Sequence, residues 1–170
     1  MTPSFHDQFV ELFDAHFPRL FRVMNRLSGE SELAADVVQE AFVRLYQRGS
    51  LPDAPEAWVI TVAMNLFRNE KSTRSRRRGL LTPARSEHAL ADPPPSPEQA
   101  AAAKDARRQV RQTLDRLPER ERRLLLLRAE GYSYRDIAAA LELNEASVGV
   151  LLARARRAFR TTHEEAVDAP

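Results

Sequence analysis

A run of prolines near the middle of the chain constrains the fold more than any other feature. Residues 79–99, GLLTPARSEHALADPPPSPEQ, contain five of the chain's eleven prolines, and three of them, Pro93 to Pro95, are consecutive. Proline lacks the backbone N–H that a helix needs, and proline-rich segments are extended and semi-rigid. The segment predicts a flexible linker, placed at residues 79–104, between an N-terminal domain at 1–78 and a C-terminal domain at 105–165.

On both sides of the predicted linker, apolar residues recur at spacings of three and four. This periodicity is typical of amphipathic helices and not of strands. Pro18 predicts the start of a second helix, which Gly29 would end. The chain is therefore predicted to be all-α, with two small helical domains joined by the proline-rich linker.

The composition argues against several classes of protein. With no cysteine, disulfides and thiolate metal sites are excluded, and the chain has only five glycines and no glycine-rich phosphate loop. The four histidines are scattered without the spacing of metal ligands: His6, His16, His88 and His163. The sequence thus predicts neither an enzyme nor a cofactor. No apolar run could span a bilayer and the first residues are too polar for a signal peptide, so we expect a cytoplasmic protein without membrane insertion.

Charge is distributed unevenly along the chain. Residues 1–56 hold nine acidic and five basic residues, a net charge of −4, whereas residues 57–78 hold one acidic and six basic residues, a net charge of +5. A second basic cluster contains Arg154, Arg156, Arg157 and Arg160. Two basic patches beside an acidic surface suggest one polyanionic partner and a second, different partner.

The end of the chain has the pattern of a helix-turn-helix. Ser133 and Asp136 predict the capped start of a short helix, and Asn144 predicts the cap of the last helix. Two helices joined by a turn of three or four residues form this motif, here in a four-helix or winged-helix-like DNA-binding domain. The alternative from these residues alone is an alanine-rich helix hairpin packed in a bundle.

The exposed face of the predicted last helix suits close approach to DNA. Its buried stripe is predicted to be Val148, Leu152, Ala155 and Phe159, and its other face carries Ser147, Gly149, Val150, Ala153, Arg154 and Arg157. Small residues let the backbone approach the major groove, where valine can touch a thymine methyl group and arginine can pair with guanine.

Two other segments could bind partners. The segment PEAWVITVAMNLFRNEKSTRSRRR predicts a long helix with an apolar first half, whose inner face is Trp58, Val62 and Leu66, and a basic second half. Amides and aromatic rings beside arginines suit unstacked bases and their phosphates. In ELAADVVQEAFVRLY, four polar residues share a helix face: Asp36, Gln39, Glu40 and Arg44. That face is either solvated or a protein-docking surface.

These motifs, in this order around a proline-rich linker, resemble the extracytoplasmic-function group of the sigma-70 family of bacterial RNA polymerase sigma factors. AADVVQEAFVRLY resembles the helix that docks on the polymerase clamp, and AWVITVAMNLFRNEKSTRSRRR resembles the helix that opens and reads the −10 element. LDRLPERERRLLLLRAEGYSYRDIAAALELNEASVGVLLARARRAF resembles the domain that binds the −35 element.

The resemblance implies roles for individual residues. Core-polymerase binding would fall to Asp36, Gln39, Glu40 and Arg44. Binding of −10 DNA would fall to Asn65, Arg68, Asn69, Lys71, Arg74, Arg76, Arg77 and Arg78, with the loop at 49–55 near a flipped-out base. Binding of −35 DNA would fall to Arg135, Ser147, Gly149, Val150, Ala153, Arg154 and Arg157. The implied partners are core RNA polymerase, promoter DNA and an inhibitory anti-sigma factor.

The implied function is that of a transcription initiation factor that directs polymerase to promoters. The two elements of such a promoter, −10 and −35, lie about 25 base pairs, or about 80 Å, apart. Residues 79–104 could extend to about 85 Å, so two separate domains could reach both elements. The alternative is a free-standing helix-turn-helix regulator with an N-terminal sensing or dimerisation domain. A third class is a purely structural helical adaptor.

Overall fold

The computed structural model describes the backbone of residues 1–77 and 96–169, and the side chains of residues 1–73 and 96–169. Every regular element in these ranges is an α-helix. The helices are α1 (Phe5–Ser28), α2 (Ser31–Arg48), α3 (Pro55–Arg77), α4 (Pro97–Arg116), α5 (Glu119–Ala129), α6 (Tyr134–Leu141) and α7 (Glu145–Asp168). The prediction of an all-α fold is confirmed.

The start of α4 corrects one boundary of the predicted linker. Residues 78–95 lie outside the described residues, but 97–104 are helical, so the prediction of a flexible linker up to residue 104 is wrong. Ser96 caps the helix, because its side-chain oxygen accepts a 3.2 Å hydrogen bond from the N–H of Gln99. Pro97 fits the first turn, and the alanines that follow have the highest helix propensity.

Pro18 lies inside α1 and does not begin a second helix, so that prediction is also wrong. Proline costs the helix the hydrogen bond to the carbonyl oxygen four residues earlier. The helix continues because its apolar face is buried both before and after the proline, at Leu12, Leu20, Val23, Met24 and Leu27. Burial of an amphipathic face stabilises a helix more than local propensity does. Gly29 ends α1 with φ of 70°, as predicted.

Helices α1, α2 and α3 pack on one another. The buried face of α3 is Val59, Ile60, Ala63, Met64 and Phe67. The predicted inner face of Trp58, Val62 and Leu66 is only half-buried. This difference follows from the position of α3, which contacts α6 as well as α1 and α2 and is therefore covered on more than one side.

In the second half of the chain, α7 packs against α4, α5 and α6. The predicted helix-turn-helix is confirmed as α6 and α7. Ser133 caps α6, with its hydroxyl oxygen accepting a 3.1 Å hydrogen bond from the N–H of Asp136. Glu142 ends α6 in the left-handed region, with φ of 55°, and Asn144 caps α7 through a 3.0 Å bond from the N–H of Ala146.

The two halves are also packed against each other. Helix α3 contacts α6, and α1 contacts α5, so the buried side chains form one continuous cluster through both halves. Among the described residues, no helix combines the length and apolar character that crossing a membrane requires.

Candidate nucleic-acid interfaces and docking face

Helix α2 presents one polar face to solvent. Its buried side includes Leu33, Val37, Ala41 and Leu45, and the exposed side carries Asp36, Gln39, Glu40 and Arg44. Arg44 Nε lies 2.8 Å from a carboxylate oxygen of Glu40 one turn away. The structure therefore brings the four predicted polymerase-binding residues together on one exposed surface, which we call the docking face.

An aromatic groove of about 690 Å³ borders the docking face. It is lined by Phe9, Phe13, Phe17, Gln39, Phe42, Val43, Tyr46 and Gln47. The ring of Tyr46 is 5.0 Å from that of Phe9, yet Tyr46 remains 48% exposed. Our sequence reasoning missed this groove. The available signal was the repeat of phenylalanine every four residues on α1, which places three rings on one side of the helix.

The exposed face of α3 carries the described part of the predicted −10 set. Asn65, Arg68, Asn69 and Lys71 are all exposed, whereas Ala63, Met64 and Phe67 are buried. Lys71 Nζ lies 6.0 Å from the centre of the Phe67 ring. The side chains of Arg74, Arg76 and Arg77, and all of Arg78, lie outside the described residues. The described amides and cations of the predicted −10 set are thus all accessible from solvent.

The predicted −35 set lies on the outer face of α7 and at the start of α6. Val150 is 56% exposed, and Ala153, Arg154 and Arg157 are exposed with it. Ser147 and Gly149 are half-buried, and Arg135 is exposed on α6. The side facing the core contains Val148, Leu152 and Ala155 as predicted, whereas Phe159 is only half-buried. We call the outer surface of α7 the reading face.

Tyr134 joins the reading face and was missed by our sequence reasoning. A Cβ atom on Gly149 would lie 3.5 Å from Cε2 of the Tyr134 ring. The guanidinium of Arg128 lies 5.2 Å from the centre of the same ring, within the range of a cation–π contact. Tyr134 is 38% exposed, so its ring rests between Arg128 and Gly149 while part of it faces solvent. The sequence feature that could have indicated this role is the position of Tyr134 directly after Ser133, the cap of α6.

Within residues 1–73 and 96–169, no group of three or more histidine, cysteine or carboxylate side chains is placed to hold a metal ion. The exposed features are instead an acidic and polar docking face, a row of amides and cations on α3, and small residues with arginines on α7.

Comparison with protein families matches both halves of the chain. Residues 12–77 match the model described as "Sigma-70 region 2", and residues 107–159 match "Sigma-70, region 4". The first match ends with α3, and the second includes α5, α6 and much of α7.

Three curated relatives match most of the chain. It is 33% identical to the RNA polymerase sigma-H factor of Pseudomonas aeruginosa, over 83% of this chain and 78% of that protein. It is 32% identical to the ECF RNA polymerase sigma factor SigL of Mycobacterium tuberculosis, over 91% and 88%. It is 31% identical to the ECF RNA polymerase sigma factor SigE of Mycolicibacterium smegmatis, covering 88% of this chain but only 59% of that relative.

Two solved structures share the fold. One is the sigma factor RpoE of Bartonella quintana in complex with the anti-sigma factor NepR, with a TM-score of 0.67 and 22% identity, over 96% of this chain and 99% of that one. The other is CnrH in complex with the cytosolic domain of CnrY, with a TM-score of 0.64 and 22% identity, over 96% and 91%. At this identity, the likeness describes the fold.

Proposed function

The chain belongs to the extracytoplasmic-function group of the sigma-70 family, and from this membership we propose that it is a transcription initiation factor. It binds core RNA polymerase and directs the polymerase to promoters through a −10 and a −35 element. The observation that carries the proposal is that the two halves of the chain match two different regions of the sigma-70 family. Each half also presents exposed polar or basic residues outside a buried core.

The docking face and the aromatic groove bind the polymerase clamp. Protein interfaces combine apolar anchors in pockets with a polar rim. The groove supplies the pocket with the rings of Phe13 and Tyr46, and Asp36, Gln39 and Glu40 supply the rim. Gln39 belongs to both surfaces, so a single partner segment can contact them together.

The exposed surface of α3 binds the −10 element. Amide side chains can hydrogen-bond to the edges of unstacked bases, and cationic side chains bind phosphates. Asn65 and Asn69 are one helical turn apart, with Arg68 and Lys71 beside them. The arginines that continue this sequence, Arg74, Arg76, Arg77 and Arg78, extend the positive charge along the DNA backbone.

The reading face binds the −35 element in the major groove. A recognition helix contacts base edges mainly with residues near its N-terminus. Gly149 and Val150 keep that end of α7 small and apolar, and Arg154, one turn later, can form paired hydrogen bonds to guanine. Tyr134 and Arg135, at the start of the preceding helix, lie on the side where the DNA backbone would pass.

We further propose an anti-sigma factor as the inhibitor, because the sigma factor RpoE of Bartonella quintana, which shares this fold, was solved in complex with the anti-sigma factor NepR. We propose the cytoplasm as the compartment, where polymerase and promoter are found. The chain itself performs no catalytic chemistry in this role, because the polymerase carries out synthesis. Two weak DNA-binding surfaces joined in one complex give selectivity that neither has alone.

Transcription in vitro, with and without core polymerase, tests the proposal. We expect promoter-specific binding and run-off transcripts only when the chain and core polymerase are both present. A free-standing regulator would bind its site without polymerase, and an adaptor would never give promoter-specific transcripts. Either of those results would refute the proposed function.

A further inference from the structure

The connection between α5 and α6 places an arginine beside a tyrosine. Arg128 lies in the last turn of α5, and Tyr134 is the first residue of α6. Gly131, between them, has φ of 85°, a conformation that glycine adopts readily and that lets the chain turn back. The Arg128 guanidinium lies over the Tyr134 ring, 5.2 Å from its centre, which is within the range of a cation–π contact.

The backbone of the same connection restrains Arg128. Its Nη1 atom donates a 3.0 Å hydrogen bond to the carbonyl oxygen of Tyr132. A guanidinium is planar and carries its donors in a fixed fork, so one such bond limits the orientation of the whole group. The cation that lies over the Tyr134 ring is therefore held by the main chain between the two helices.

The Tyr134 ring is also in contact with α7. A Cβ atom on Gly149 would lie 3.5 Å from Cε2 of the ring, so the ring edge packs on the second turn of that helix. An exposed tyrosine without such neighbours exchanges between rotamers, and restricting it costs conformational entropy. Here Arg128 and Gly149 restrict the ring as the chain folds, so less entropy is lost when a partner binds.

Tyr134 is placed at the border of the reading face. In a helix-turn-helix the first helix crosses the DNA backbone while the second lies in the major groove. Tyr134 begins the first helix, touches the second, and keeps 38% of its surface exposed. Tyrosine is among the side chains that hydrogen-bond to phosphate oxygens and so fix the register of a protein on DNA.

We propose that the Tyr134 hydroxyl donates a hydrogen bond to a phosphate at the edge of the −35 element, and that Arg128 is a positioning residue that acts through the Tyr134 ring. This inference rests on the proposed function and adds a residue of α5, outside the helix-turn-helix, to −35 recognition.

The surroundings of Arg128 favour an indirect role. Arg128 lines a groove of about 700 Å³ formed by residues of α4, α5 and α7, including Leu114, Leu125 and Phe159. Phe159 lies one turn after the buried Ala155, on the side of α7 that faces the core. Arg128 therefore borders the reading face through Tyr134 without belonging to it.

A double-mutant cycle on promoter binding tests this role. The chain is saturated with core polymerase, and its affinity is measured for a duplex promoter fragment containing the −35 element. Arg128→Ala should weaken binding about two- to fivefold, the range of an exposed cation–π contact. Tyr134→Phe removes only the hydroxyl and should weaken binding about tenfold, because a hydrogen bond to a charged group is lost. The double variant should bind as Tyr134→Phe does.

The phenylalanine variant separates positioning from a structural effect. It keeps the ring beside Arg128 and Gly149, so a loss caused by weaker packing would persist when Arg128→Ala is added to it. A loss caused by misplacing the hydroxyl would not persist, because the hydroxyl is already absent. Thermal melts of all four chains show whether the fold is kept, and a fragment with a scrambled −35 element should bind all four chains alike.

The salt dependence of binding separates positioning from a direct phosphate contact of Arg128. Each lost phosphate contact reduces the slope of log affinity against log salt by about 0.9 on duplex DNA. Arg128→Ala should leave this slope unchanged. Arg156→Ala is the matched control, since Arg156 is exposed and lines the same groove as Arg128, and its affinity should equal that of the unmodified chain.

The outcomes distinguish this inference from the proposed function. Additive losses in the double variant, or a reduced salt slope for Arg128→Ala, would overturn the positioning role. Promoter-specific binding that neither Arg128→Ala nor Tyr134→Phe weakens would also overturn it, while leaving the proposed function intact. If the unmodified chain with core polymerase shows no promoter-specific binding, the proposed function is refuted and this inference with it.

Discussion

The ring of Tyr134 packs beside Gly149, such that a Cβ atom on the glycine would lie 3.5 Å from Cε2 of the ring. That distance is an ordinary van der Waals contact, so a methyl group fits there without displacing the ring. A longer side chain would have to pass the ring and extend over the reading face. Gly149 therefore leaves room on the surface that we propose contacts DNA, and the core does not require a glycine at this position.

Two substitutions at Gly149 separate stability from recognition. Gly149→Ala should raise the free energy of unfolding by about 1 kcal/mol, because glycine in a helix interior costs that much relative to alanine. Its choice of −35 sequence should change little. Gly149→Arg should also stabilise the helix but alter or abolish the −35 preference. Thermal melts and transcription from a library randomised across the −35 element measure the two effects; an unchanged preference with arginine would contradict the assignment.

The helices and the helix-turn-helix could be predicted from sequence because their signals are local. Ser133 and Asn144 cap the helices where their positions in the sequence indicate. The prediction from Pro18 was wrong because burial of α1 against α2 and α3 outweighs the preference of proline for the start of a helix. The capping signal of Ser96 was present but was read as part of the proline-rich segment.

The relationship between the two halves could not be read from the sequence. The bonds from Arg19 and Arg22 to Glu130 join residues more than a hundred positions apart, and no periodic pattern encodes such a pair. The same is true of the half-buried side of α3, where Trp58 and Leu66 were predicted to be inside. A helix covered by two neighbours lacks the single apolar stripe on which sequence patterns depend.

The docking face can be tested without damaging the fold. Asp36→Arg with Gln39→Ala changes two exposed side chains of α2, so the melting temperature should move little. Affinity for core polymerase should fall, because a charge is reversed at the rim of the interface. Binding measured with purified core polymerase gives the result. Glu11→Arg, an exposed acidic residue of α1, is the control for charge alone; equal affinities for all three chains would exclude this face as the polymerase contact.

The basic end of α3 should contribute through phosphates. Arg74→Gln with Arg76→Gln should weaken open-complex formation on all promoters alike. It should also reduce the slope of log affinity against log salt by about 0.9 for each lost phosphate contact on duplex DNA. Titrations at several salt concentrations measure this slope. Lys104→Gln with Arg107→Gln, both exposed on α4, is the matched control. A defect confined to certain promoter sequences would show that these arginines read bases.

The last prediction distinguishes two neighbouring arginines of α7. Arg154 is exposed on the reading face, one turn beyond Val150, or about 6 Å along the helix axis. Arg156 is also exposed, but it lines a different groove together with Leu114 and Phe159. Arg154→Ala should cost about 1–3 kcal/mol on the preferred −35 sequence and relax the choice at one base position, because a paired contact to guanine is lost. Arg156→Ala removes the same charge from the same helix and should leave −35 selection unchanged. Transcription from the randomised −35 library compares the two variants, and identical selection by both would show that the outer surface of α7 does not read the promoter.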